Sequence, residues 1–279
     1  MSLSINASQT SLFAQNSLSS TRQAQAKTLQ SLSSGQRVNS ATDDPAVAAI
    51  IQQFAAQIAG SDQAARNLND GVSLTQVADG AIEQLSSNSN RLRELAVAAG
   101  NSTLSSQDRS ALQAEADQLS QANNDIVQQT NFNGVSLLKG GNSLTFQSGA
   151  NAEGSNQTSL ATPNLSAAPA NGGLFSLAGG VDLSSPTAAT QSLSNLDADI
   201  NTLSANRAQF GAASNAFAAE IDNLQTRSIN LSAARSRSGD TDYAAATAQL
   251  AQQQIKSQAN IAVQAQANAS ASQVLTLLR

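Results

Sequence analysis

A strict seven-residue repeat of large apolar side chains runs through the C-terminal third of the sequence. It comprises Leu196, Leu203, Phe210, Phe217, Leu224 and Leu231. The companion positions of the same heptads are mixed, because Arg207, Ser214 and Arg235 stand among apolar residues. An apolar seam of this length predicts a coiled-coil helix, and the mixed companion seam predicts that its other face meets water or another subunit.

The helix that carries this repeat has a clear start signal. Ser185 can cap a helix with its hydroxyl, and Pro186 fits the first helical position, where no amide hydrogen is needed. From there to about Arg235, a helix would be roughly 75 Å long at 1.5 Å per residue. A compact domain of this size does not need so long a helix by itself, so the sequence predicts a fold built from long helices.

A second long helix is predicted in the N-terminal half, where Asp44 can cap the helix and Pro45 can open it. Ser61 and Thr75 interrupt one of its apolar series. A nearly straight helix drifts against a strict seven-residue repeat, and the apolar stripe shifts accordingly. Because the two long helices are natural partners, we predict an antiparallel coiled coil. The stripe comprises first Ile51, Ile58, Ala65 and Val72, and then Ala78, Leu85, Leu92 and Ala99.

A third helix is predicted after a break at residues 98–108. Ser105 and Asp108 resemble a capping box, in which each residue satisfies a backbone amide of the other. The helix that follows carries an apolar stripe of Leu112, Leu119 and Ile126.

The middle of the chain differs in kind from these helical parts. The Asn-Gly pair at 133–134 and the Gly-Gly pair at 140–141 are turn signals around short alternating stretches, which predicts small hairpins. The Gly-, Ser-, Asn- and Pro-rich segment that follows predicts a loop with one or two short strands near residues 174–183. The predicted fold is therefore mainly α, with a hairpin and loop region at about residues 131–185.

The two ends of the chain, residues 1–34 and about 240–279, are dominated by Ser, Gln and Ala. Their apolar stripe is too thin to order a lone helix in water. We therefore expect these ends to become ordered by packing with copies of themselves. The candidate assembly residues are Ile5, Leu12, Leu29, Leu32, Leu250, Ile261, Leu275 and Leu278.

A polar joint lies between the first end helix and the first long helix, in the stretch LSSGQRVNSATDDPA at residues 32–46. Glycine with serine and asparagine neighbours suits a connector better than a helix interior. The aspartate and proline that follow restart the helix. The candidate connector residues are Gly35, Asn39, Asp43, Asp44 and Pro45.

Composition excludes several classes of function. The net charge is -5 and the scattered arginines form no basic face, so we predict no nucleic-acid partner. No apolar run approaches the length of about 20 residues that a membrane-spanning helix needs, and the N-terminus has no pattern of a cleavable secretory signal. The chain has no cysteine and no histidine, which removes thiol nucleophiles, zinc thiolate sites and the commonest general base.

The remaining candidates for chemistry are paired aspartates, Asp43 with Asp44 and Asp240 with Asp242. Neighbouring aspartates at helix ends are far more often caps and macrodipole partners than acid–base pairs or cation sites. We therefore predict no catalytic, cofactor-binding or metal-binding residue, and no enzyme activity.

The connector stretch also resembles the signature of bacterial flagellins, in which Leu-Ser-Ser-Gly and Asn-Ser-Ala precede a double aspartate. The segments at residues 65–97, 129–138 and 266–279 resemble flagellin in the expected order, and together the similarity covers roughly the first 140 and the last 90 residues. The chain departs from long flagellins in its short middle, which replaces their large outer domains. The proline after the double aspartate is a smaller departure.

The resemblance implies a subunit that polymerises into the helical flagellar filament for swimming motility. Flagellins leave the cell unfolded through the flagellar secretion channel without a cleaved signal, so the expected location is extracellular. The implied partners are other copies of the chain, an export chaperone, and the junction and cap proteins. The implied domains are an inner core made of residues 1–44 and 240–279, and a rod domain of residues 45–239.

Three residues match the positions at which flagellin contacts the vertebrate innate immune receptor that detects it. They are Arg91, Leu95 and Glu115. Arg91 and Leu95 are four residues apart and so share a helix face. In the alternative interpretation, Leu95 packs inside the protein and Arg91 is simply solvated, and the sequence leaves both open.

Two other functions compete with a filament subunit. A hook–filament junction protein shares flagellin-like ends but forms a short ring, and a secreted helical adhesin would need an exposed binding domain. The complete segments ARNLNDGVSL, RLRELAV and QTNFNGVSLL favour flagellin over the junction protein. The short middle disfavours an adhesin, and the absence of histidine excludes the metalloprotease insert found in some flagellins.

Overall fold

The computed structural model describes residues 9–177 and 179–277, with only the backbone described for Thr10 and 270–277. Five α-helices dominate this part of the chain, and the predicted mainly helical fold is confirmed. The two longest contain 55 and 54 residues. The helices are α1 (Gln9–Ser34), α2 (Pro45–Ala99), α3 (Ser106–Gln129), α4 (Pro186–Gly239) and α5 (Tyr243–Leu277).

The chain forms two compact units, whose boundaries fall inside α2 and α4. The terminal unit contains the residues up to Ala56 together with those from Asn230 onward. The central unit comprises residues 57–229.

The core of the central unit is the seam between α2 and α4. Polar pairs across the seam show that the helices are antiparallel, with Arg93 bonded to Asp197 at 2.7 Å and Arg207 bonded to Asp79 at 2.9 Å. The predicted heptad residues of α4 that fall in this unit are buried, which confirms the coiled-coil prediction. They are Leu196, Leu203, Phe210, Phe217 and Leu224.

The opposing face of α2 mixes aliphatic and small polar residues. Leu68, Ile82 and Leu85 are fully buried, and so are Ser61 and Thr75, which interrupt the apolar series. Burying each large aliphatic side chain contributes about 1.5–3 kcal/mol. The apolar positions therefore supply the stabilisation of the seam.

The third helix packs on the same seam and begins as the sequence predicts. The amide of Asp108 donates to Ser105 Oγ at 3.1 Å, and the amide of Ser105 donates to Asp108 Oδ2 at 3.2 Å, which completes a capping box. Leu112 and Leu119 pack against a buried cluster that contains Leu92. The helix is thus fixed both at its first turn and along its apolar stripe.

Two antiparallel hairpins follow α3. In the first, β1 (Asn131–Phe132) pairs with β2 (Val135–Ser136), and Asn133 and Gly134 have φ values of 48° and 81°. Two successive positive φ angles are typical of the tight hairpin turn that an Asn-Gly pair predicts. The second hairpin pairs β3 (Ser143–Gln147) with β4 (Gln157–Ala161).

The second hairpin is anchored on the helical seam by one aromatic contact. The rings of Phe146 and Phe217 meet edge to face with centroids 5.3 Å apart. A Cβ atom added at Gly71 would lie 3.0 Å from the Phe217 ring, so glycine leaves the space that this ring fills.

The predicted short strands near residues 174–183 are absent from the described residues of that segment, and this prediction is wrong. A single 3₁₀ turn, Phe175–Leu177, lies there instead. Its cause is a buried carboxylate on α4, because Asp199 accepts the amides of Phe175 and Ser176 at 2.8 and 2.9 Å. Burial raises the pKa of Asp199 above its ordinary value of 3.8, against the lowering effect of the two amides.

In the terminal unit, α1 and α5 pack against each other in antiparallel directions. Ala14, Leu18 and Ala246 are buried in this unit. Short Ala and Ser side chains bury little apolar surface. Polar side chains complete the contact in the pairs Ser11–Asn268, Thr21–Asn260 and Thr28–Gln253. The sequence predicts that these terminal helices pack with other copies of the chain. The structure adds packing between α1 and α5 within one chain.

Replacing Asp199 with alanine tests the carboxylate that fixes the 3₁₀ turn. Asp199→Ala leaves the amides of Phe175 and Ser176 without their acceptor, so we expect the free energy of unfolding to fall by about 1–4 kcal/mol. Urea unfolding followed by circular dichroism measures the loss. Asp197→Ala is the matched control, since it removes an exposed ion pair worth less than about 1 kcal/mol. Equal losses in the two variants would contradict the assigned role.

Candidate assembly surface and connector site

Large apolar side chains are exposed on both terminal helices. On α1 they are Leu12, Phe13 and Leu29, and on α5, besides Tyr243 at its first position, they are Ile255, Ile261 and Val263. Phe13 is 75% exposed and Ile255 is 66% exposed. Single exposed apolar residues are common on proteins, whereas contiguous apolar patches mark interaction sites. We call these six residues the terminal apolar surface.

The candidate assembly residues differ in how far they are buried. Leu12, Leu29 and Ile261 belong to the terminal apolar surface, while Leu32 and Leu250 are half-buried. Leu275 lies in α5, but its side chain is not described. Ile5 and Leu278 lie outside the described residues. Phe13, Ile255 and Val263 were not predicted from the sequence, because they lie outside the sparse series of apolar positions from which the candidates were chosen.

The connector residues form a compact turn. Gly35 has a φ of 71°, a left-handed conformation that favours glycine. The amides of Asn39 and Ser40 donate to Asp43 Oδ2 at 3.2 and 3.1 Å. The segment therefore folds around the Asp43 carboxylate.

The last residues of the connector begin α2 as the sequence predicts. The carboxylate of Asp44 accepts the amide of Val47 at 3.1 Å, which makes it an N-terminal cap, and Pro45 is the first residue of the helix. The first aspartate thus shapes the turn and the second caps the helix.

Lys27 on α1 fixes the connector through an ion pair with Asp43, whose atoms are 3.0 Å apart. This lysine and the amides of Asn39 and Ser40 lower the pKa of Asp43 to about 2. The carboxylate therefore stays charged, and keeps its hydrogen-bond donors, until the solution is strongly acidic.

The connector also bonds to the junction between α4 and α5. The amide of Arg37 donates to the carbonyl of Gly239 at 2.7 Å, and the amide of Thr241 donates to the carbonyl of Gly35 at 2.9 Å. Both bonds join residues that are about 200 positions apart in the chain, and pairing at this distance is not visible in the sequence pattern.

The three residues matched to the immune receptor contact lie at the interface of α2 and α3. Arg91 donates to Glu115 and to Glu94, each at 2.9 Å, and these carboxylates raise its pKa. Leu95 is only 3% exposed and packs in the buried cluster beneath. The surface here is therefore an ion-pair network over a buried leucine, and receptor contact stays a prediction.

Within the described residues, no group of three or more His, Cys, Asp or Glu side chains is placed to hold a metal ion. The same residues contain no helix that is long and apolar enough to cross a membrane.

Long antiparallel helices, with large apolar side chains exposed on the terminal helices α1 and α5, are typical of a structural subunit. Two family models match this chain: the bacterial flagellin N-terminal helical region over residues 5–143, and the bacterial flagellin C-terminal helical region over residues 193–278. The chain belongs to the bacterial flagellin family, whose members are the subunits of the flagellar filament.

Relatives of similar length support this membership. A flagellin of Halalkalibacterium halodurans is 37% identical over 254 residues, which is 91% of each chain. The flagellar filament 30.7 kDa core protein of Treponema maltophilum is 31% identical over 98% of this chain and 99% of its own. A putative flagellar hook-associated protein from Vibrio parahaemolyticus has a similar fold, with a TM-score of 0.61 over 71% of this chain and 100% of its own. Its identity of 10% makes this a likeness of fold alone.

The charge of Asp43 predicts how the connector responds to acid. A carboxylate with a lowered pKa contributes stability above its ordinary pKa of 3.8, and this contribution is lost as the pH falls toward about 2. We expect the carboxyl carbon of Asp43 to titrate near pH 2 in an NMR experiment on the full-length chain. In Lys27→Met, which removes the cation, the midpoint should rise. A midpoint near 3.8 in the unaltered protein would contradict the ion pair.

Proposed function

We propose that this chain polymerises into a helical filament through its terminal helices. The observation that carries the proposal is the terminal apolar surface, six large side chains left in water on a helix pair with a thin internal stripe. Burying apolar surface contributes about 25 cal/mol per Å². A head-to-tail contact between different faces generates an open helical polymer when the rotation between neighbouring copies does not close into a ring.

The family supplies the finer parts of this proposal. The filament is extracellular and supports swimming, and the subunit reaches it through the flagellar secretion channel without a cleaved signal. An export chaperone, the junction proteins and the cap protein are its further partners. Residues 1–44 and 240–279 form the inner core of the filament, and residues 45–239 form the rod domain. The role is structural, without catalysis.

Electron microscopy of polymerised protein tests the proposal. The full-length chain should form long filaments after addition of a precipitating salt or filament seeds. Ile255→Ser together with Ile261→Ser removes apolar contact from α5, so we expect the concentration needed for filament growth to rise by about tenfold or more. A chain without residues 241–279 should not polymerise.

The matched control is Val97→Ser, which removes a side chain of similar exposure from α2 in the central unit. It should polymerise like the unaltered chain if the terminal helices carry the contact. Equal polymerisation of the Ile255/Ile261 variant, with the circular dichroism spectrum unchanged, would contradict the proposal. Short rings in place of filaments would favour a junction protein.

Contact with the innate immune receptor is a separate proposal. Arg91 and Glu115 expose polar atoms that a partner protein could bind, whereas Leu95 offers almost no surface in the single chain. We expect Arg91→Ala to weaken binding of the unassembled chain to the receptor ectodomain by about tenfold, because a hydrogen bond to a charged group contributes about 1.5–3 kcal/mol. Unchanged affinity in a direct binding assay would exclude a contact through this arginine.

A further inference from the structure

The C-terminal end of α1 is capped by residues from the far end of the chain. The hydroxyl of Tyr243 donates to the carbonyl of Leu32 at 3.2 Å, and the hydroxyl of Thr241 donates to the carbonyl of Ser31 at 3.3 Å. The amide of Thr241 donates to the carbonyl of Gly35. The last carbonyls of a helix have no partner within it, so the two hydroxyls satisfy groups of α1 that would otherwise need water.

The C-terminal end of α4 is capped in the opposite direction. The guanidinium of Arg37 donates to the carbonyl of Ser238 at 2.6 Å, and the amide of Arg37 donates to the carbonyl of Gly239 at 2.7 Å. A positive charge at a helix C-terminus is also favoured by the helix dipole. One residue of the first connector therefore supplies both a charge and two hydrogen bonds to the end of α4.

The two sets of caps form a reciprocal arrangement. Helix α1 leads into the first connector, residues 35–44, and α4 leads into the second, residues 240–242. Each connector caps the helix that leads into the other one. Roughly a third to a half of helices end with a local cap, usually a glycine just beyond the last turn. Gly35 occupies that position after α1, and a Cβ added to it would lie 3.3 Å from Tyr243 Oη.

We propose that Gly35, Arg37, Thr241 and Tyr243 form a reciprocal clasp, a conformational device that orders the ends of α1 and α4 together. Bringing the two distant connectors together costs entropy once, and each cap then benefits from the closure that the other requires. If only one connector is in place, the C-terminal ends of both helices therefore stay frayed. The device acts in the single chain and does not depend on filament assembly.

Amide hydrogen exchange in the full-length, unassembled protein tests the clasp, because each connector holds a reporter for the other. Arg37→Ala removes the guanidinium from the end of α4. The clasp predicts that the amide of Thr241, which is bonded to Gly35, then exchanges about three to ten times faster. Tyr243→Phe removes one oxygen atom from the cap of α1. It should speed the exchange of the Arg37 amide by a similar factor.

Independent caps would give a different result. Arg37→Ala would then affect only the last turn of α4, Tyr243→Phe would affect only the last turn of α1, and the proposal would be overturned. Tyr243→Phe is the more conservative change, so it decides the question if Arg37→Ala fails to fold. Arg37→Lys keeps the charge and a donor, and it should restore part of the protection.

The matched control is Arg237→Ala, which removes the same charge from the last turn of α4 without removing a bond of the clasp. The Thr241 amide should exchange at the unaltered rate in this variant. Equally fast exchange in Arg237→Ala and Arg37→Ala would assign the effect to charge alone and overturn the clasp. Tyr243 is the only tyrosine of a chain without tryptophan, so its fluorescence gives a second readout of the same site.

Discussion

The apolar seam between α2 and α4 is the interaction on which the central unit depends. Its buried side chains extend from Leu196 to Leu224 on α4 and face the aliphatic stripe of α2. Because packing in a protein interior is dense, elements that pack against such a seam are held in a fixed position. The second hairpin depends on it through Phe146 and Phe217, and the 3₁₀ turn depends on it through Asp199.

The terminal unit uses the same helical geometry with less apolar contact. Small and polar side chains dominate α1 and α5, and burying Ala contributes much less than burying Leu or Phe. Polar contacts and caps therefore carry a larger share of its order. Several large apolar residues of these helices, such as Phe13 and Ile255, are exposed instead, which suits the proposed packing with other copies.

The two connectors join the long helices α2 and α4 to the terminal helices α1 and α5. Asp43 folds the first connector and pairs with Lys27, while Asp44 caps α2. Aspartates that could be mistaken for an acid–base pair thus have structural roles. The reciprocal caps at Arg37 and Tyr243 add a contact between segments that are far apart in sequence.

The sequence by itself determined the long helices, the helix caps at Asp44, Ser105 and Ser185, whose side chains each accept a backbone amide, and the Asn-Gly hairpin. Each of these features depends on neighbouring residues or on a regular period. The family signature lies in the same local segments. Only the tertiary structure decided that Leu95 is buried, that Asp199 turns a loop into a 3₁₀ turn, and that α1 pairs with α5. These features join residues remote in sequence, whose meeting depends on how the helices pack and leaves no local pattern.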